Sequence, residues 1–98
     1  MTVKLKKWDT VDYLKTAEDR AAYLEACLEE AGDDAVFIVK ALGNIARAKG
    51  MSELSRETGF EQESLDKTFS GELNPSLATA LKIIKALGIR LHAEAAEL

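Results

Sequence analysis

Residues 51–69 place Leu54 and Thr58 one helical turn apart, follow them with Gly59, and resume an apolar period at Leu65 and Phe69. Two short helices that meet near a right angle need a small residue where they touch, a residue free to take a positive φ at the corner, and fixed apolar positions on both sides. Ser55, Gly59, and the pair Leu65 and Phe69 fill those places, with Phe60 set to plug the corner. The spacing predicts a helix-turn-helix. Neither helix is long enough to stand alone, so both inner faces must be buried against further helices.

The rest of the 98 residues, 47% hydrophobic with one proline, supplies those helices and is the size of a single domain. Thr16 followed by Asp19 resembles a capping box for a helix with Ala22, Tyr23, Ala26, Cys27 and Ala31 at helical spacing and Gly32 as its stop. Asp33 is placed to cap a second helix. Its broad apolar face, made of Val36, Phe37, Ile38, Val39, Ala41, Leu42, Ile45 and Ala46, marks it as central. Arg47 and Lys49 fall in its last turn, where cations suit the helix dipole, and Gly50 follows. Ser52 is expected to cap the third helix, the fourth spans about 62–70, and Ser76 caps a fifth with Leu77, Ala80, Leu81, Ile84 and Leu87 inward and Gly88 beyond. Ile89, Leu91 and Ala93 then alternate with Arg90, His92 and Glu94, the period of a short C-terminal strand, which would need a partner such as a second copy. The expected fold is all-α, a small five-helix unit in which 1–32 form an N-terminal segment with the first helix and 33–98 the helix-turn-helix domain and its tail.

Several function classes are excluded by what the chain lacks. Cys27 is the single cysteine, so no intramolecular disulfide forms; a small core residue in a reducing compartment is the expectation. No apolar leader follows Lys4, Lys6 and Lys7, and the apolar run 35–39 is too short to span a bilayer, so the protein is expected to be cytoplasmic with no membrane partner. His92 is the single histidine, no Cys or His pairs have metal-ligand spacing, and Gly43, Gly50 and Gly59 sit at or inside helices, where they act as backbone devices and not as a phosphate loop. The reading is a binding protein with no cofactor or metal, not an enzyme.

A net charge of −4 leaves no overall basic footprint, so any DNA contact must be local. In a helix-turn-helix the second helix enters the major groove, and here its exposed positions read Glu61, Gln62, Glu63, Asp66 and Lys67. Three carboxylates against one ammonium make a poor surface for a polyanion. In favour stand Gln62, which can pair bidentately with adenine, Ser64 and Thr68 as small hydrogen bonders, Lys67, and the flanking cations Arg47, Lys49 and Arg56. On residues alone, a stand-alone repressor and an interaction module that has lost DNA binding fit as well.

The run 41–52, Ala-Leu-Gly-Asn-Ile-Ala-Arg-Ala-Lys-Gly-Met-Ser, resembles the signature of the addiction-module antidote family, the helix-turn-helix antitoxins of type II toxin–antitoxin systems. Glu63-Ser64-Leu65, the Asn74-Pro75-Ser76 turn, Ala78-Thr79, Lys85-Ala86-Leu87-Gly88 and, upstream, Trp8-Asp9, Tyr13-Leu14 and Tyr23-Leu24 extend the likeness over nearly the whole chain. The resemblance implies a phage-repressor (Cro/C1-type) fold, a small RelE/ParE-like toxin as partner, and repression of the shared operon by a homodimer bound to operator DNA. By position it implies Ser52, Arg56, Gln62, Ser64 and Lys67 as the DNA-contacting set. Gln62, Asp66 and Glu53 depart from the arginine, tyrosine and glutamine common there, and each change removes a donor or adds negative charge. For the toxin, the segment 16–34, with seven acids against Arg20, would complement a basic partner, with Trp8, Tyr13 and Tyr23 as aromatic contacts.

Overall fold

The computed structural model describes residues 14–96, and over these the chain is all-α: α1 (Ala17–Ala31), α2 (Ala35–Lys49), α3 (Met51–Thr58), α4 (Gln62–Phe69) and α5 (Leu77–Ala86). Trp8 and Tyr13 lie outside the described residues.

Three of the five helices begin where a side chain accepts from one of their first amides. The Thr16 hydroxyl accepts from Asp19 N at 3.0 Å and the Ser76 hydroxyl from Thr79 N at 3.1 Å, as expected for those caps. For α2 the cap is Asp34, not Asp33: its carboxylate accepts from Phe37 N at 3.1 Å, because the chain needs one more residue after Gly32 to leave α1. Ser52 is not a cap either. Gly50 ends α2 and starts α3 at once, donating its amide to Ala46 O at 2.7 Å and accepting from Leu54 N at 3.1 Å, which places Ser52 inside the helix.

Helix α2 is the central element. α1 packs along it, α3 and α4 pack against its other sides, and α5 closes over α3. Leu42, Ile45 and Ala46 from α2 meet Leu14, Leu24, Leu54, Leu65, Phe69, Ile83 and Leu87 in one core. Each fully buried leucine, isoleucine or phenylalanine there contributes about 1.5–3 kcal/mol. Gly43 sets how close α4 comes to α2: a β-carbon at position 43 would stand 2.7 Å from Phe69 Cβ and 3.1 Å from its Cγ.

Several side chains face otherwise than the sequence suggests. Helix α5 carries two apolar stripes out of phase, and the packing on α3 selects Ile83 and Leu87, leaving Leu77 73% and Leu81 45% exposed. In α1 it is Leu24 and Cys27 that are buried, while Ala22 and Ala26 face out. Val36 and Phe37, at the start of α2, are exposed because no described helix reaches past them. The expected C-terminal strand does not form: among the described residues beyond α5 there is no strand, since a strand needs a partner to bond to.

A small polar cluster joins α1 to α2. The Tyr23 hydroxyl accepts from Asn44 Nδ2 at 3.0 Å, and the same Asn44 takes a 3.3 Å bond from Arg47 Nη1 through its Oδ1. Burial raises the pKa of Tyr23, partly offset by the Asn44 bond. Burial likewise pushes the Cys27 thiol up, offset by a hydrogen bond from Tyr23 and reinforced by the nearby Glu30 charge.

Two outcomes follow from this packing. Alanine is the better helix former by about 1 kcal/mol, yet overpacking costs about 1–3 kcal/mol, so Gly43→Ala should lower the urea midpoint; a higher midpoint would contradict the close approach of α2 and α4. Because folding raises the thiol and phenol above their ordinary 9.0 and 10.0, the folded chain holds protons that the unfolded chain releases. That stability is complete below about pH 8 and is lost as pH rises through 9 and beyond. Urea unfolding from pH 7 to 10.5 should show the decline, and Cys27→Ala, less stable throughout, should decline less steeply.

Candidate nucleic-acid interface on α3 and α4

The corner between α3 and α4 is built from the residues that the spacing singles out. Gly59 takes the left-handed conformation, φ 81°, where a side chain is strained, and donates to Ser55 O at 2.9 Å. Ser55 is half-buried and its hydroxyl donates to the Phe60 carbonyl. The Thr58 hydroxyl donates to Leu54 O at 2.8 Å and accepts from Phe60 N at 3.2 Å, so a buried polar side chain stitches both sides of the turn. The Phe60 ring packs on the core, with the Lys82 ammonium of α5 5.2 Å from its centroid.

This corner fixes which side of α4 meets solvent. Leu65, Thr68 and Phe69 are buried, which leaves Gln62, Glu63, Ser64, Asp66 and Lys67 exposed, with Glu61 just before them. On α3, Ser52 and Arg56 stand four residues apart and are both exposed. Gln62 Nε2 donates to the Ser52 hydroxyl at 3.4 Å, so two of the five residues expected to contact DNA touch across the turn. The Thr68 hydroxyl, counted above as a hydrogen bonder, is turned inward and donates to Ser64 O at 3.0 Å.

The cations near this surface are not equivalent. Lys67 pairs with Glu63 at 3.9 Å, an exposed one-turn pair of little energetic weight that still offsets part of its charge. Lys49 points away from the surface: its ammonium donates to Ala86 O at 2.6 Å, capping the end of α5, and lies 3.5 Å from Glu57. Arg47 is exposed and held by Asn44. Arg56 makes no hydrogen bond or ion pair with the described residues and is the nearest unengaged cation in sequence to α4. The role of Asn44 as a link between Tyr23 and Arg47 had no signal in the spacing, since it depends on two helices meeting side by side.

Among the described residues no group of three or more His, Cys, Asp or Glu side chains is arranged to hold a metal ion, and no helix is long and apolar enough to cross a membrane.

Comparison with known proteins covers nearly the same span as this architecture. The family model described as "Probable addiction module antidote protein" matches residues 4–95. An uncharacterized protein of Haemophilus influenzae is 39% identical over 94 residues, 96% of this chain and 95% of that one. No solved structure gives a significant match. The chain belongs to the addiction-module antidote family.

Proposed function

We propose that the protein is the antitoxin of a type II toxin–antitoxin pair, which neutralises a small RelE/ParE-like toxin by direct binding, and that as a homodimer it represses the shared operon through a helix-turn-helix of the phage-repressor kind. Family membership supports a toxin partner. The observation that carries the binding site is the charge on α1. Glu18 and Asp19 in its first turn suit the helix dipole, but Glu29 and Glu30 stand at the other end, where the dipole disfavours them and no cation offsets them in the last turn. All but Asp19 are exposed, and intrachain stability does not account for the two at the C-terminal end. A basic partner surface does. The toxin therefore docks on the 1–32 region, steered by these acids, with Trp8 and Tyr13 as aromatic anchors and Tyr23 holding α1 in place at its edge.

For DNA, the proposed contact set is Ser52, Arg56, Gln62, Ser64 and Lys67, with α4 in the major groove. Its two carboxylates, Glu63 and Asp66, with Glu61 just before them, weaken the interaction without misplacing it, which makes repression the weaker activity of the two.

Co-expression with the small protein encoded beside it should restore growth of cells that the toxin alone arrests, and the two should co-purify; no rescue and no complex would overturn the antitoxin reading. Reversing Glu29 and Glu30 to lysine should weaken that complex about tenfold or more, mostly through slower association at low salt. Binding to the upstream DNA should be weak and steeply salt-dependent. Gln62→Arg with Asp66→Tyr should tighten it about tenfold or more, since it adds one cation and removes one acid at the groove. Tight wild-type binding at physiological salt in a mobility-shift titration would refute the part assigned to the acids.

A further inference from the structure

Beyond Ile89 the described chain is in neither helix nor strand. Ile89 is anchored in the core at 8% exposure, its amide donating to Ile84 O at 3.3 Å. From Arg90 to Ala96 every residue is exposed, and with the described residues none of their backbone groups makes a hydrogen bond. Between this segment and α1 lies an open groove of about 910 Å³, lined by the apolar Leu24, Leu28 and Leu91 and by the charged Glu25, Glu29 and Arg90. Leu28 and Leu91 are 41% and 50% exposed. A segment that alternates apolar and polar residues and keeps its amides and carbonyls free is the form of a strand that pairs only when a second strand arrives.

The sequence of the segment says which strand fits. In an antiparallel pair of two identical copies related by a two-fold axis at His92, Arg90 faces Glu94 of the other copy, Leu91 faces Ala93, and Ile89 faces Ala95. Every charged residue then meets its opposite, and every apolar residue meets an apolar one. Moving the axis by one residue to Leu91 sets Arg90 against His92, and moving it to Ala93 sets Arg90 against Ala96, so only the His92 register joins Arg90 to Glu94. We infer that residues 89–95 form a two-stranded antiparallel sheet with the same segment of a second copy, centred on His92, and that this sheet is the interface of the homodimer. The two-fold makes the contact isologous and closed, with no free edge left for a third copy on that side. A two-stranded ribbon alone is marginal in water, and the groove on α1 supplies the apolar surface that it packs on. The inference rests on the homodimer of the reading above and specifies its interface; it does not depend on DNA or toxin binding.

The full-length chain carrying Cys27→Ala provides the background. His92→Cys places one thiol opposite its own copy, at the 4.5–5.5 Å Cα separation of facing antiparallel residues, roughly that of a disulfide. It should give a covalent dimer under mild oxidation, while Arg90→Cys and Glu94→Cys cross-link readily only when the two variants are mixed. By sedimentation, Arg90→Glu should weaken the dimer about tenfold, since two attractive pairs become repulsive, and the double swap Arg90→Glu with Glu94→Arg should restore it. A chain that stays monomeric at all working concentrations would overturn the inference together with the homodimer. A dimer that persists with no His92→Cys cross-link would overturn the tail interface alone. If Arg90→Glu leaves the dimer intact and abolishes toxin capture, the strand belongs to the toxin and the inference fails.

Discussion

The near contact of α2 and α4 at Gly43 and Phe69 is the constraint on which the rest of the structure depends. With no side chain at position 43 the Phe69 ring base sits directly against the α2 backbone, and α4 is pulled in until Leu65 and Phe69 are 1% and 2% exposed. Burial of those two residues leaves α4 a single orientation about its own axis. The outward residues 62, 63, 64, 66 and 67 are thus a consequence of core packing, and the composition of the outer face is free to vary without cost to the fold. This separation of duties explains how a well-formed α3–α4 corner carries an acidic exterior.

The charges divide along the same line. Lys49 is an internal fastening, and Glu57 and Ala86 O account for it. The acids of the α1 C-terminal turn have no such internal account, whereas on α4 Glu63 stands in the first turn and pairs with Lys67. Where a charge is placed against a helix dipole or beside like charges with no compensating contact, its reason lies outside the chain.

Much of the fold was legible because it is written locally. The Thr16 and Ser76 caps, the corner at Gly59 and the inward Leu65 and Phe69 each depend on residues within a few positions of one another. What was not legible depends on distance or on a choice between near equals. Asp33 and Asp34 are adjacent carboxylates, and the length of the turn decides between them. Leu77 and Leu81 compete with Ile83 and Leu87 for the inner side of α5, and the packing on α3 decides, which no pattern inside the helix reveals. The bonds from Asn44 to Tyr23 and from Lys49 to Ala86 span 21 and 37 positions and exist only once the helices are assembled. At the site, the exposed positions of α4 were readable because burial of their neighbours implies them, whereas the Gln62–Ser52 contact across the turn was not.

The Lys49 fastening has a mechanical side. Ala86, whose carbonyl it grips, lies three residues before the point where the chain leaves the core at Ile89, so the end of α2 and the root of the tail are one joint. Tension applied to the tail enters through that joint and through α5, and is shared between the end of α2 and α3, which Lys49 also reaches at Glu57. Whatever pulls on residues 89–96 thus loads the ends of α2 and α3 together.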